Sequence, residues 1–193
     1  MTVERIKAAA LKQFAQHGYD GASLSDIAKE AGIKTPSIYA HFKSKEDLFL
    51  SVFDDLLKLD VEQTIRLAEQ IETKTVKEKL HAILIHYCKI FATTEQGMFW
   101  QRAMFFPPEF LRETLQMWFA NYESRLTGIL ISIFEEAIDT GVIAAQEPSD
   151  LLAAYYCMLD GLSIECHYYS PDEYERRIAA VWSIFWNGLQ AQR

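Results

Sequence analysis

A short polar segment near the N-terminus carries side chains suited to recognising another molecule. Its polar residues are Lys34, Thr35, Ser37 and Tyr39. Ile38 and Phe42 are four residues apart, so in a helix they share one face and are expected to be buried. The hydroxyl groups would then face outwards, where they can reach base edges or thymine methyl groups, and Lys34 can reach a guanine or a phosphate. The segment therefore predicts a DNA-reading helix; the alternative is a helical hairpin with an ordinary polar face.

The residues on either side predict a helix-turn-helix that would position this segment. Ser23 and Asp26 have the spacing of a capping box, which predicts a helix start at about residue 24. Gly32 supplies the left-handed residue that ends this helix. Pro36 suits the first turn of the next helix, which we expect to end near His41.

The rest of the chain also has a helical period. Ser44 and Asp47 repeat the capping-box spacing and open a helix to Ile71, about 28 residues or on the order of 40 Å long. Caps and prolines delimit the other helices. The predicted helices are 3–17, 24–31, 35–41, 44–71, 75–94, 95–106, 109–139, 148–168 and 170–189. No segment has a strand period, so the sequence predicts an all-α fold of about nine helices.

The first fifty residues resemble the DNA-binding domain of tetracycline-repressor (TetR) family regulators. The resemblance is carried by Asp26-Ile27-Ala28, Ala31-Gly32-Ile33, Ile38-Tyr39, His41-Phe42 and Lys45. It covers about the first quarter of the chain. The sequence departs from the family at Lys34, where members often carry Ser or Thr, and this changes what can meet DNA.

The resemblance implies a division of labour along the chain. Residues 1–47 would form the DNA-binding domain, and residues 48–193 an effector-binding and dimerisation domain. It assigns Tyr39 and His41 mainly to phosphate contacts, Lys45 to a phosphate beside the next helix, and Ser25 to the rim of the groove. The full set of DNA-binding candidates is Ser25, Lys34, Thr35, Ser37, Tyr39, His41 and Lys45.

Aromatic residues of the middle helices form a second candidate site. By spacing alone they are ordinary core, but the resemblance implies an effector pocket, and tyrosines and tryptophans beside isolated polar groups are typical of one. The candidates are Phe99, Trp100, Arg102, Phe105, Trp118, Tyr122, Arg125, Tyr156, Glu165 and His167, with His86 as a further isolated polar group. The alternative for Arg102 and Glu165 is a structural ion pair, with each other or with neighbours.

Two apolar helices near the C-terminus predict a homodimer. Paired with the same two helices of a second copy, they would form a four-helix interface, as the resemblance also implies. The predicted interface residues are Tyr155, Leu159, Leu162, Ile178, Val181, Trp182, Phe185, Trp186 and Leu189.

The charge distribution is compatible with DNA binding only in a limited way. The net charge is −8, but residues 1–48 hold seven Lys or Arg against six Asp or Glu, a sum of +1, which leaves −9 for the remainder. Phosphate binding is mainly electrostatic, so one such domain should bind weakly and two together should bind better.

Other functional classes fit the sequence poorly. His86 and Cys88 are two apart and Cys166 and His167 are adjacent, so neither pair shares a helix face as metal ligands would. We find no phosphate-binding glycine loop and no catalytic motif, and expect no catalytic residue, no enzyme activity, no cofactor and no metal. The three cysteines suit reduced thiols.

The composition predicts a cytoplasmic protein. The longest uncharged stretch, between Arg177 and Arg193, has 15 residues, fewer than the roughly 18 to 20 that a membrane span needs. We see no signal peptide and expect no membrane contact.

Together these features predict a ligand-responsive transcriptional regulator. We expect a repressor that binds double-stranded operator DNA as a homodimer. A small, largely apolar or aromatic effector would release it, through movement of the helix that begins near Ser44. The alternative is a helical binding or scaffold protein whose hairpin does not read DNA.

Overall fold

A computed structural model of the protein describes residues 2–190, except for the side chain of Arg125. Regular structure within that range is entirely helical, which confirms the predicted all-α fold of about nine helices. The α-helices are α1 Thr2–Gly21, α2 Leu24–Glu30, α3 Thr35–Tyr39, α4 Lys45–Ile71, α5 Val76–Thr93, α6 Glu95–Phe105, α7 Arg112–Asp139, α8 Pro148–Glu165 and α9 Pro171–Leu189, and a 3-10 turn spans Glu109–Leu111.

The chain packs as two compact units. The first contains the described residues up to 60 together with 93–120, and the second contains 61–92 together with 121–190. By packing, therefore, α6 belongs to the same unit as the three N-terminal helices. The predicted division at residues 47 and 48 concerns function, and it stays a prediction.

The first unit is organised around an aromatic cluster. Phe14, Phe53 and Phe99 are fully buried, and Phe49 is nearly so. The Phe49 ring lies edge-on to Phe14 at 5.0 Å and to Phe99 at 5.1 Å between centroids. This geometry is favourable for aromatic rings and holds α1, α4 and α6 together under the short helices.

The second unit has its own core. Leu80, Leu84, Phe134 and Tyr155 are fully buried. Tyr155 donates a hydrogen bond from its hydroxyl to the carbonyl of Leu80, at 2.7 Å, so the one polar atom of this side chain is satisfied. Burial raises the pKa of Tyr155 well above its ordinary value, which keeps the phenol neutral.

Some helix ends differ from the prediction. Gly18 ends the regular part of α1, with φ 71°, but the chain makes one more helical turn to Gly21. The single helix predicted for 109–139 begins instead with the 3-10 turn, because Pro108 is extended and its carbonyl accepts from the amide of Leu111 at 2.9 Å. Helices α3 and α8 end two and three residues earlier than predicted, at Tyr39 and Glu165, and ordinary turns follow.

Candidate nucleic-acid interface

The caps predicted for α2 are present. The Ser23 hydroxyl oxygen accepts a hydrogen bond from the backbone amide of Asp26 at 3.1 Å, and the hydroxyl donates back to the Asp26 carboxylate. Gly32 has φ 66°, and after it the amide of Ile33 bonds to the carbonyl of Ala28 at 2.9 Å. A left-handed residue at this point closes α2 and redirects the chain into α3.

Helix α3 places its apolar residues inside and its polar residues outside. Ile38 is fully buried and Phe42 is 6% exposed, as expected for anchors. Tyr39, directly beside Ile38, is 58% exposed. The other candidates on this stretch, Lys34, Ser37 and His41, are exposed, Thr35 is half-buried, and Ser25 is exposed on α2. The short helix thus presents hydroxyl, imidazole and ammonium groups to its surroundings, which suits contact with base edges and phosphates.

Lys34 caps α3 with its backbone alone. It is the N-cap residue, with extended φ and ψ, and its side chain makes no capping hydrogen bond. A Ser or Thr at this position would use its hydroxyl as the cap. The substitution therefore exchanges a capping side chain for an exposed ammonium group.

The Lys45 side chain bonds to backbone carbonyls, whereas the sequence predicted a phosphate contact. Its ammonium group donates to the carbonyls of Tyr19 at 2.8 Å and Ala22 at 3.1 Å, and it lies 4.2 Å from the centroid of the Tyr19 ring. In this structure the half-buried lysine joins the start of α4 to the turn between α1 and α2. Its expected phosphate contact stays a prediction, and a positioning role was missed, because nothing in the local sequence points from residue 45 back to residue 19.

The effector candidates of the first unit lie mostly in packed positions. Phe99 is 0% exposed and belongs to the core of this unit, the alternative that its spacing also allowed; its contact with an effector stays a prediction. Trp100 and Trp118 each stack on Phe53, with centroids 6.1 and 6.4 Å away. Phe105, in contrast, is 40% exposed. The aromatic set is therefore not one continuous lining.

The charged candidates have partners other than each other. Arg102 donates from Nε to the carbonyl of Ala15 at 2.7 Å, and Glu165 pairs with Arg177 at 3.0 Å. The mutual ion pair considered for Arg102 and Glu165 was therefore wrong, and the pairing with neighbours is what the structure has.

In the second unit, the remaining candidates differ in their burial and in their contacts. Tyr122 is buried, and the Tyr156 hydroxyl lies 3.2 Å from that of Thr127. His167 is exposed, and the side chain of Arg125 lies outside the described part of the chain. His86 Nε2 and Glu165 Oε2 are buried without a hydrogen-bond partner among the described residues. Burial also lowers the pKa of His86, so its imidazole is neutral at pH 7.

Most of the predicted dimer residues are buried within their own chain, and their place in an interface stays a prediction. Tyr155, Leu159, Leu162, Ile178, Trp182, Trp186 and Leu189 are buried in the core of their own chain, and Phe185 packs against that core; Val181 is 37% exposed. The large side chains of α8 and α9 face inwards because they bury the most apolar area there. A contact surface must come from the opposite sides of these helices.

Those opposite sides carry small and apolar residues. The exposed residues of this kind are Ala153, Ala154, Cys157, Gly161 and Ile164 on α8, and Ala179, Ala180, Val181, Ile184 and Gly188 on α9. We call them the outer face of α8 and α9. Their recurrence at three or four residues was the missed signal, because a second apolar stripe on an already buried helix is unusual unless something covers it.

Metal-ligand clusters and membrane-spanning helices are not found in the described part of the chain. Across residues 2–190, no three His, Cys, Asp or Glu side chains are placed to hold a metal ion. None of the helices in this range combines the length and apolar character that crossing a bilayer requires. All three cysteines are free thiols, and burial raises the pKa of Cys88 to about 11.

The N-terminal sequence matches a known family. Residues 6–52 match the family described as "Bacterial regulatory proteins, tetR family". The chain is 36% identical over 85 residues to the fatty acid metabolism regulator protein of Bacillus subtilis, covering 44% of this chain and 42% of that protein. It is 32% identical over 115 residues to the transcriptional regulator AcrR of Shigella flexneri, covering 58% and 52%. The chain thus spans about half the length of these curated relatives.

Solved structures share the whole fold. FadR of Bacillus subtilis in complex with stearoyl-CoA has a TM-score of 0.74 at 24% identity, over 97% of this chain and 99% of that one. AibR in complex with isovaleryl coenzyme A and operator DNA has a TM-score of 0.72 at 17% identity, over 95% and 97%. At these identities the likeness concerns the fold.

Proposed function

We propose that this chain, whose residues 6–52 match the tetR family of bacterial regulatory proteins, is a ligand-responsive transcriptional repressor that binds operator DNA as a homodimer. The observation that carries the proposal is the helix pair α2 and α3. Gly32 separates the helices with a left-handed turn, Ile38 anchors α3 from inside, and Tyr39 is 58% exposed beside it. A short helix with a buried anchor and a polar outer side is what insertion into a major groove requires.

A homodimer is part of the proposed function because one DNA-binding domain is nearly neutral. We call each such domain a reading head. Two heads on a partly palindromic operator would lie about 34–36 Å apart, one turn of DNA. The outer face of α8 and α9 is the surface we assign to the contact between the two copies. Small residues such as Ala153 and Gly161 allow helices to approach closely, and Ile184, 75% exposed, supplies apolar area.

For the effector we propose an acyl-coenzyme A. The second unit is apolar and contains the unpaired buried atoms His86 Nε2 and Glu165 Oε2. Unpaired buried polar atoms are costly, and a ligand with a polar group near an apolar chain would satisfy them. The ligands of the two solved structures with this fold are acyl-coenzyme A thioesters. Such a ligand acts only through its difference in affinity between DNA-bound and released states.

The proposed regulator is non-catalytic and acts in the cytoplasm, where bacterial operator DNA lies. A mobility-shift titration with DNA from upstream of the protein's own gene tests it. We expect a sequence-specific shift that weakens as salt rises, since phosphate contacts release counterions. Absence of a sequence-specific shift at low salt would contradict the repressor function and favour the alternative, a helical scaffold protein.

A variant pair refines this test. Tyr39→Ala is expected to weaken binding about tenfold, because a hydrogen bond to a charged phosphate contributes on the order of 1.5 kcal/mol. Tyr168→Ala is the matched control, since this tyrosine is 76% exposed but belongs to the second unit. Equal affinities for the two variants would contradict the assignment of α3 to DNA.

The effector is tested by adding stearoyl-CoA to the protein–DNA complex. We expect the shift to be lost in proportion to ligand concentration, with free coenzyme A and free stearate as controls. Retention of the complex at saturating stearoyl-CoA and at a short-chain acyl-CoA would reject this class of effector while leaving DNA binding intact.

A further inference from the structure

Two cations bind residues 15–22, the end of α1 and the first residue after it, which we call the turn between α1 and α2. Arg102, on α6, donates from Nε to the carbonyl of Ala15 at 2.7 Å and from Nη2 to that of Gln16 at 3.1 Å. On the other side of the turn, Lys45 donates to the carbonyls of Tyr19 and Ala22. The turn is thus held from two helices that are distant in sequence.

The reason for this arrangement lies in Gly18. Its φ of 71° and ψ of −179° break the regular helix, and carbonyls at the end of a helix generally need hydrogen-bond donors from outside the helix. The C-terminal end of a helix also carries partial negative charge, which favours a cation there. Arg102 meets both requirements, because its planar guanidinium can bond two neighbouring carbonyls at once.

The fit around Arg102 is close. A Cβ atom at Gly18 would lie 3.4 Å from Nη1 of Arg102. Tyr19, the next residue, packs edge-on against Phe49 at 5.3 Å and Phe110 at 5.3 Å. The turn therefore has little room to shift while Arg102 is in place.

The position of this turn determines where α2 begins. Only Ser23 separates Ala22 from the first residue of α2, and α3 follows through Gly32. We propose that Arg102 is a positioning residue for DNA binding: it fixes the end of α1 to α6, and so holds α2 and α3 in the orientation that reads the operator. The inference rests on the proposed function, since it concerns how the reading helices are held.

Hydrogen exchange tests the positioning directly, without DNA. In Arg102→Ala we expect the backbone amides of residues 19–33 to exchange about tenfold faster, because the carbonyls before Gly18 lose their partner. Arg102→Lys should restore part of the protection, since an ammonium group can still bond one carbonyl. Arg112→Ala is the matched control: it removes the same charge from the same unit, but its partner is Glu109 on the surface. Urea unfolding of each variant separates local loosening from unfolding.

DNA binding then separates positioning from a direct contact. A positioning residue predicts about tenfold weaker binding by Arg102→Ala with an unchanged salt slope, whereas loss of a phosphate contact lowers the slope by about one. Unchanged exchange, or a lower slope, would overturn the inference. If the wild type binds no operator, the proposed function fails, and the exchange rates still decide whether Arg102 holds the turn.

Discussion

Phe99 is the clearest example of a single residue whose role depends on its neighbours. It is 0% exposed and lies within 5.1 to 6.3 Å, centroid to centroid, of Phe14, Phe49 and Phe53. Truncation of such a side chain removes buried apolar area and leaves a cavity that the close-packed surroundings fill only in part. We therefore expect Phe99→Ala to lower the free energy of unfolding by about 3–5 kcal/mol, measured by urea denaturation.

Phe105→Ala is the control for this prediction. Phe105 lies on the same helix but is 40% exposed, so its truncation should cost on the order of 1 kcal/mol. Equal stability of the two variants would contradict the core role of Phe99. It would instead favour the prediction that Phe99 lines an effector pocket.

For single residues, the sequence predicted burial correctly where the apolar side chain and its spacing determine it. Ile38 and Phe42 were predicted as anchors from their spacing and are buried. The positioning contacts of Lys45 and Arg102 were not predicted, because each side chain bonds to backbone carbonyls. Carbonyl acceptors are present at every residue, so nothing in the side-chain sequence marks which ones will be left without a helical partner.

Among the elements, the turn between α2 and α3 depends most on one backbone conformation. Gly32 has φ 66°, and a Cβ there would lie 3.0 Å from Nη2 of Arg5, which itself bonds the carbonyl of Ala31. We expect Gly32→Ala to destabilise the protein by about 1–2 kcal/mol and to weaken DNA binding, while Gly32→Asn is tolerated better because asparagine adopts the left-handed region more readily. Thermal unfolding and the mobility shift measure the two effects.

Gly141→Ala separates backbone strain from DNA reading. This glycine has φ 68°, and a Cβ there would meet nothing within 4 Å, in the second unit. Its replacement should cost similar stability and leave operator affinity unchanged. Equal loss of DNA affinity in both variants would mean that Gly32 matters only through overall stability.

Element boundaries were predictable where a cap or a proline fixes them. Ser23, Ser44 and Ser170 accept the capping bonds of α2, α4 and α9. The end of α1 and the start of α7 were less predictable. In both places hydrogen bonds formed in the folded chain, rather than a stop residue alone, decide whether one more turn is made.

For the whole molecule, the sequence led us to propose α8 and α9 as the dimer helices, but it did not indicate which side of them is exposed. Trp182 and Trp186 are the largest apolar residues of α9, yet they are 7% and 3% exposed within their own chain. A single sequence does not separate a stripe that is buried by folding from one that is buried by association, because both are apolar at the same spacing. Only the folded chain shows that the small residues are left outside.

This assignment predicts the behaviour of a matched pair of glycine variants. Gly161 on α8 and Gly128 on α7 both lie in helices, and a Cβ at either position would meet nothing within 4 Å. Both glycines are also exposed, so we expect the single chain to accept an arginine at either site. At Gly161, however, its bulk and charge would enter the contact with the second copy, where an unpaired buried charge is strongly unfavourable.

We expect Gly161→Arg to be monomeric in sedimentation velocity at concentrations where the wild type and Gly128→Arg are dimeric. The Gly161→Arg variant should also bind the operator much more weakly. A single, nearly neutral reading head binds DNA weakly, and two heads bind well only when they are joined in a dimer. Far-UV circular dichroism should be the same for all three proteins. A dimeric Gly161→Arg would remove the outer face of α8 from the interface, and a monomer with full affinity would mean that one head is sufficient to read the operator.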